Sequence, residues 1–114
     1  MEVAYNPPMS EDENEWADAL GVRQFQETIE AIYLARDSAR GATGTFAWFV
    51  EEVGELSRAI RNDDRDNLHE EFADCFAWLA SLASIKGVDL ATAASKYAGG
   101  CPRCRRTPCG CSHR

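Results

Sequence analysis

Two segments of the chain repeat one pattern nineteen residues apart, and this repeat limits the fold more than any other feature. The first places Phe46, Phe49, Val53, Leu56 and Ile60 at helical spacing. The second does the same with Leu68, Phe72, Cys75, Phe76, Leu79 and Ala83. Apolar residues recurring at i, i+3, i+4 and i+7 make one stripe of an α-helix, and that stripe needs a partner to cover it. Superposed, Phe49 falls on Leu68, Glu52 on Glu71, Glu55 on Asp74, Leu56 on Cys75 and Ile60 on Leu79.

The acids in these segments do not lie opposite the stripes. At about 100° per residue, Glu52 and Glu55 fall roughly 80° and 140° from the stripe centre, and Glu71 and Asp74 at about the same angles on the same side. If the helices pack antiparallel, a local two-fold turns both acid flanks toward each other or away. Turned inward, they form four carboxylates at the edge of the core, unstable by like-charge repulsion unless neutralised. A hard divalent cation neutralises them, and all-oxygen ligands suit Mg²⁺ or Mn²⁺. The plainer alternative is a solvated acidic face on each helix. The wheel angles alone leave both readings open.

At 114 residues the chain has room for one modest domain. Its 12 basic and 19 acidic side chains give a net charge of −7. That balance argues against a general nucleic-acid binder, which needs a basic footprint. An anionic substrate would need a metal or local basic groups to bridge it. Met1 to Ser10 is polar and includes Pro7-Pro8, unlike a signal peptide, and no apolar run has the length of a membrane span. The expected location is the cytoplasm. Four of the five cysteines crowd into the last 14 residues, which in a reducing compartment points to metal or redox chemistry.

Periodicity and breakers predict an all-α chain: a small bundle of three long helices and one short one, with an irregular cysteine-rich tail. Residues 1–21 read as an acidic arm, partly helical or loose. Ser10 and Glu13 fit a capping box, Trp16 can dock on the core, and Gly21 ends the short helix. Residues 22–98 form the helical domain. A first long helix runs from Val22 to Arg40, with Val22, Phe25, Ile29, Ile32 and Tyr33 as its stripe. Gly41 and Gly44 then open a loop, and Thr45 caps the next helix, which runs to Arg61. Asn62-Asp63-Asp64 makes a turn, and a third helix spans Asp66 to Lys86 with Gly87 at its end. Asp89 caps a fourth helix reaching Tyr97. Ala73, Ala77, Ala80 and Ala83 would permit close helix approach, within the chain or between subunits. Residues 99–114 form the tail.

Glu51-Glu52-x-x-Glu55 followed, after 15 residues, by Glu71-x-x-Asp74 resembles the signature of the MazG-like, all-α nucleotide pyrophosphohydrolases. The surroundings agree: Trp48 to Leu56, Glu71 to Leu79, and Lys96-Tyr97. The resemblance covers roughly Val22 to Cys111. It implies a nucleoside triphosphate cut between the α and β phosphates, Mg²⁺ dependence, and subunits paired as a homodimer or homotetramer. It implies metal ligands at Glu52, Glu55, Glu71 and Asp74. Glu51 points away from those four on the wheel and reads as a water-orienting base or an outer partner of the metal. Lys96, with Arg36 or Arg40, could meet phosphate oxygens, although each also reads as a surface charge. Trp78 lies one turn after Asp74 and could stack on a base or simply pack. Cys75 reads as an inert core thiol.

Cys101-Pro102-Arg103-Cys104 followed by Cys109-Gly110-Cys111 could close around one Zn²⁺, pair as disulfides, or remain loose. The tail is also basic, with Arg103, Arg105, Arg106 and Arg114. The main functional reading is therefore an Mg²⁺-dependent nucleotide pyrophosphohydrolase that clears unwanted nucleotides. The alternative is a non-catalytic helical interaction module with a metal-binding tail.

Overall fold

The structure is a computed structural model that describes residues 17 and 19–113. Among these residues the regular structure is all helical, with no strand. Helix α1 spans Val22–Arg40, α2 Ala42–Arg61, α3 Arg65–Ile85 and α4 Leu90–Ala94, which continues as a 3-10 turn over Ser95–Tyr97. No single helix is long and apolar enough to cross a membrane. The capping box at Ser10 and Glu13 and the docking of Trp16 lie outside the described residues.

Helices α2 and α3 share the most extensive contact, and α1 packs mainly on α3. The turn at Asn62, Asp63 and Asp64 reverses the chain. Trp48 then meets Trp78, and Glu52 comes close to Asp74, so rising numbers on α2 meet falling numbers on α3. Basic residues end the first two helices, Arg40 on α1 and Arg58 and Arg61 on α2, where the helix dipole favours positive charge. Asp89 caps α4 as expected, accepting from the Ala91 and Thr92 N–H groups at 2.9 and 3.4 Å. Gly87, at φ 69°, ends α3 in the left-handed region that favours glycine.

Three local expectations are corrected. There is no loop from Gly41 to Gly44. Gly41 alone, at φ 88°, separates α1 from α2, and Gly44 is already helical. Thr45 is therefore not the cap of α2. It is fully buried in the first turn, where its hydroxyl accepts from Arg40 Nη1 at 3.5 Å. The fourth helix also tightens to 3-10 geometry for its last turn.

The largest correction concerns which faces are covered. On α2 the inward residues are Thr45, Phe49, Glu52, Leu56 and Ala59, so the buried face is rotated toward the acids. Phe46, Val53 and Ile60 remain 54, 42 and 54% exposed, together with Val50. On α3, Phe72, Phe76 and Leu79 are exposed, while Ala80 and Ala83 are buried. Two of the four expected small residues thus serve close packing inside the chain, and Ala73 is exposed. Among the described residues the buried hydrophobic side chains are Ile29, Ala59, Ala80 and Ala83. By helical rotation, the exposed stripes of the antiparallel α2 and α3 fall on the same side of the pair.

A polar clamp that the apolar pattern did not reveal holds α1 to the end of α3. Buried Gln26 donates through Nε2 to Ser84 Oγ at 3.0 Å and the Val88 carbonyl at 2.8 Å. Its Oε1 accepts from Leu90 N–H at 2.9 Å. Ser84 Oγ donates to Glu30 at 2.7 Å. All three functions of the amide are used, which fixes where α4 begins.

Candidate functional site

The acid flanks of α2 and α3 turn toward each other. Glu52, Glu71 and Asp74 each bring a carboxylate oxygen within 4.8 Å of the others. Glu71 is the buried member, 9% exposed. Asn67 donates to its Oε1 at 3.3 Å, while its Oε2 is buried without a hydrogen-bond partner. A buried carboxylate oxygen with no donor, on a side chain grouped with two other carboxylates, is a costly arrangement for the protein alone.

Electrostatics follow from this geometry. Burial raises the Glu52 carboxyl above its ordinary value, and the charges of Asp74, Glu71, Glu55 and Glu51 add to the shift in that order. Burial also raises Glu71, followed by the charges of Asp74 and Glu55. Cys75 is half-buried beside the cluster. Burial, then Glu52, Glu71 and Asp74, keeps its thiol protonated, in keeping with an inert role.

Two of the expected site acids stand apart from the three. Glu55 is within electrostatic reach, but its Oε2 lies 3.8 Å from Arg58 Nη1 at the exposed rim. Glu51 is exposed, and its charge is the weakest of the four acting on Glu52.

A cleft of about 390 Å³ opens against Glu52 and Asp74, between α1 and the α2–α3 pair. Trp48 and Trp78 line it with rings 15° from parallel and centroids 6.4 Å apart. The Arg40 guanidinium lies 5.2 Å from the Trp78 ring and 3.0 Å from buried Asp37. Arg36 and Tyr33 complete the α1 wall. The structure thus brings Trp78, Arg36 and Arg40 to the acids. It places Lys96 elsewhere, in a cleft against the cysteine segment, 5.2 Å from the Tyr97 ring. The role of Trp48 was not expected from the sequence, though a signal was present. It lies four residues before Glu52, as Trp78 lies four after Asp74, so an antiparallel pair carries both to one end of the acid flank.

The four tail cysteines form a second cluster, with all Sγ atoms within 4.8 Å of one another. Backbone N–H groups of Gly110 and Arg106 draw Cys104 down to about 6, and those of Cys104 and Arg103 lower Cys101. Cys111 is pushed up to about 11, first by its hydrogen bond with Cys109.

The all-helical chain thus sets inward carboxylates from two antiparallel helices, a donor set that could hold a metal ion, beside an aromatic, arginine-bearing cleft. Comparison with protein families identifies which class this is: the description "MazG nucleotide pyrophosphohydrolase domain" matches residues 40–104, more than half of the chain. The chain belongs to that family. The match begins where α1 ends, covers α2, α3 and α4, and reaches Cys104. No curated protein matches the chain.

Proposed function

We propose that this protein is an Mg²⁺-dependent nucleoside triphosphate pyrophosphohydrolase, releasing monophosphate and pyrophosphate to clear unwanted nucleotides. The observation that carries the reading is the grouping of Glu52, Asp74 and buried Glu71, whose Oε2 has no hydrogen-bond partner, with Glu52 and Asp74 lining the aromatic cleft. That oxygen and the all-carboxylate donor set fit a hard divalent cation. Glu52, Glu71 and Asp74 would hold it, with Glu55 joining from the rim. An Mg²⁺ ion held by these carboxylates would supply charge neutralisation for the phosphates and Lewis acidity.

The chain's own residues supply the rest. Arg36 and Arg40 offer charge to phosphate oxygens, and the fork of Arg40 is already oriented by Asp37. Trp48 and Trp78 offer faces on which a base can stack. The partly enclosed cleft keeps the electrostatic interactions strong by limiting water. Glu51, exposed on the outer side of α2, is left out of the set that would hold the metal.

The exposed stripe of Phe46, Val50, Val53, Ile60, Phe72, Phe76 and Leu79 supports a homo-oligomer, with a second copy covering this face. With so few buried apolar side chains among the described residues, the chain would gain much of its core from that partner.

The test is a panel of nucleoside triphosphates with Mg²⁺, followed by pyrophosphate release. Turnover that vanishes with Asp74→Asn supports the reading. A panel without any Mg²⁺-dependent release would leave a helical interaction module.

A further inference from the structure

The cysteine segment has a geometry that the nucleotide chemistry does not use. Cys101 Sγ lies 3.8 Å from Cys111 Sγ, and Cys104 Sγ lies 4.0 Å from Cys109 Sγ. A disulfide needs about 2.05 Å. A tetrahedron with Zn–S arms of about 2.3 Å has edges of about 3.8 Å. Two of the six sulfur–sulfur separations thus stand at the edge length of a tetrahedron around one ion, all six lie within 4.8 Å, and none of the four thiols is in a disulfide.

The backbone is shaped to the same end. Gly110 N–H donates to Cys104 Sγ and Cys111 N–H to Cys109 Sγ, both at 3.3 Å, the kind of contact that supports thiolate charge. Arg105, at φ 63°, follows the Cys101–Cys104 turn in the left-handed region, and its N–H donates to the Cys101 carbonyl at 2.7 Å. Cys101 N–H closes the loop onto the Arg106 carbonyl at 3.0 Å. Beyond Gly100 there is no helix or strand, and every described side chain is exposed or half-buried. No apolar core offsets the entropy lost in fixing this backbone. Bringing four thiolates together without a cation is opposed by their mutual repulsion.

We propose that Cys101, Cys104, Cys109 and Cys111 bind one Zn²⁺ in a closed four-thiolate site that folds the end of the chain. Four sulfurs fill a tetrahedral shell and leave no open position, which makes the ion structural and makes His113 unnecessary as a ligand. The site is separate from the carboxylate cluster in donor type and in position. Its bound ion fixes the segment against Lys96 and Tyr97, which line the same cleft.

The test uses the full chain purified under reducing conditions. Elemental analysis should find about one zinc per chain. Exchange for Co²⁺ should give the visible bands of tetrahedral thiolate coordination. The variant Cys104→Ser/Cys109→Ser should lose the zinc while keeping its helical circular dichroism. Trypsin should then cut at Arg103, Arg105 and Arg106 about tenfold faster or more, because the loop opens without its ion. Glu52→Gln should keep its zinc, which separates this proposal from the fate of the hydrolase reading. Three results would overturn the proposal: metal-free protein with all four thiols open to alkylation, a mass showing disulfides under reductant, or iron in place of zinc.

Discussion

The carboxylate cluster and the cysteine cluster each gather metal-type donors within 4.8 Å, yet they are held in opposite ways. Glu52, Glu71 and Asp74 project from helices of 20 and 21 residues whose backbone hydrogen bonds do not depend on the acids. Burial first, and mutual repulsion after it, raise the Glu52 and Glu71 carboxyls, and the fold imposes both. The cysteines sit on chain without regular structure, held by a few loop hydrogen bonds, and the proposed shared ion would do the rest. A rigid scaffold can keep a site strained and ready, with ligand exchange leaving the fold in place. A loop site and its ion form together. The first arrangement suits a cation that must handle substrate, the second one that stays.

This contrast can be broken most sharply at the acids. Glu71→Gln or Asp74→Asn should lower pyrophosphate release by about a hundredfold or more, since even outer partners of metal ligands cost 10–100-fold. Helical content should not change. Wild-type turnover in both variants would show that the carboxylates are only a strained surface.

Next in size is the uncovered apolar face. Val53→Asp or Phe72→Asp places a charge where a second copy is expected to pack. Light scattering should show the assembly dissociating, with a lower melting temperature. A wild-type protein that is monomeric at micromolar concentration would contradict the shared core.

Trp78→Ala should raise KM about 5- to 150-fold, the range for losing one base–aromatic stack. An unchanged KM would confine Trp78 to packing against Trp48 and Arg40.

The smallest effect is thermal and depends on pH. Glu52 and Glu71 hold their protons more tightly in the folded chain than in the unfolded one. Without Mg²⁺, stability should therefore fall as pH rises from the ordinary carboxyl value of 4.5 through their raised values, then level off. Saturating Mg²⁺ should flatten the decline. At neutral pH the Mg²⁺-free Glu52→Gln variant should melt a few degrees above wild type. Scanning calorimetry across this range checks both, and a melting temperature that climbs with pH would refute the sign.

Much of this was legible in the sequence because it depends on local periodicity. The nineteen-residue repeat carries the lengths of α2 and α3 and the matched placement of Glu52, Glu71 and Asp74. Capping chemistry carries the start of α4 at Asp89, whose carboxylate can reach the Ala91 and Thr92 N–H groups only from that position. The break at Gly41 was visible, but not that a single residue suffices, because Gly44 carries the same residue type without the need for positive φ. Apolar spacing identified a stripe on each helix but could not say what would cover it. Phe46, Val53, Ile60 and Phe72 fit that pattern as well as any core residue, yet they lie outside the chain's own interior.

The sequence by itself determined which residues share a helix face, since a rise of about 1.5 Å and a turn of about 100° per residue leave little freedom. It therefore determined that the acids share one flank of each helix and that the cysteines lie close enough along the chain to converge. The tertiary structure decided which flank turns inward. It chose the acidic side of α2 and α3, leaving Glu71 Oε2 buried without a donor. It also brought Arg40 from α1 onto Trp78 and set Lys96 apart from the acids, because neighbours between helices depend on crossing and joint geometry that no residue spacing records.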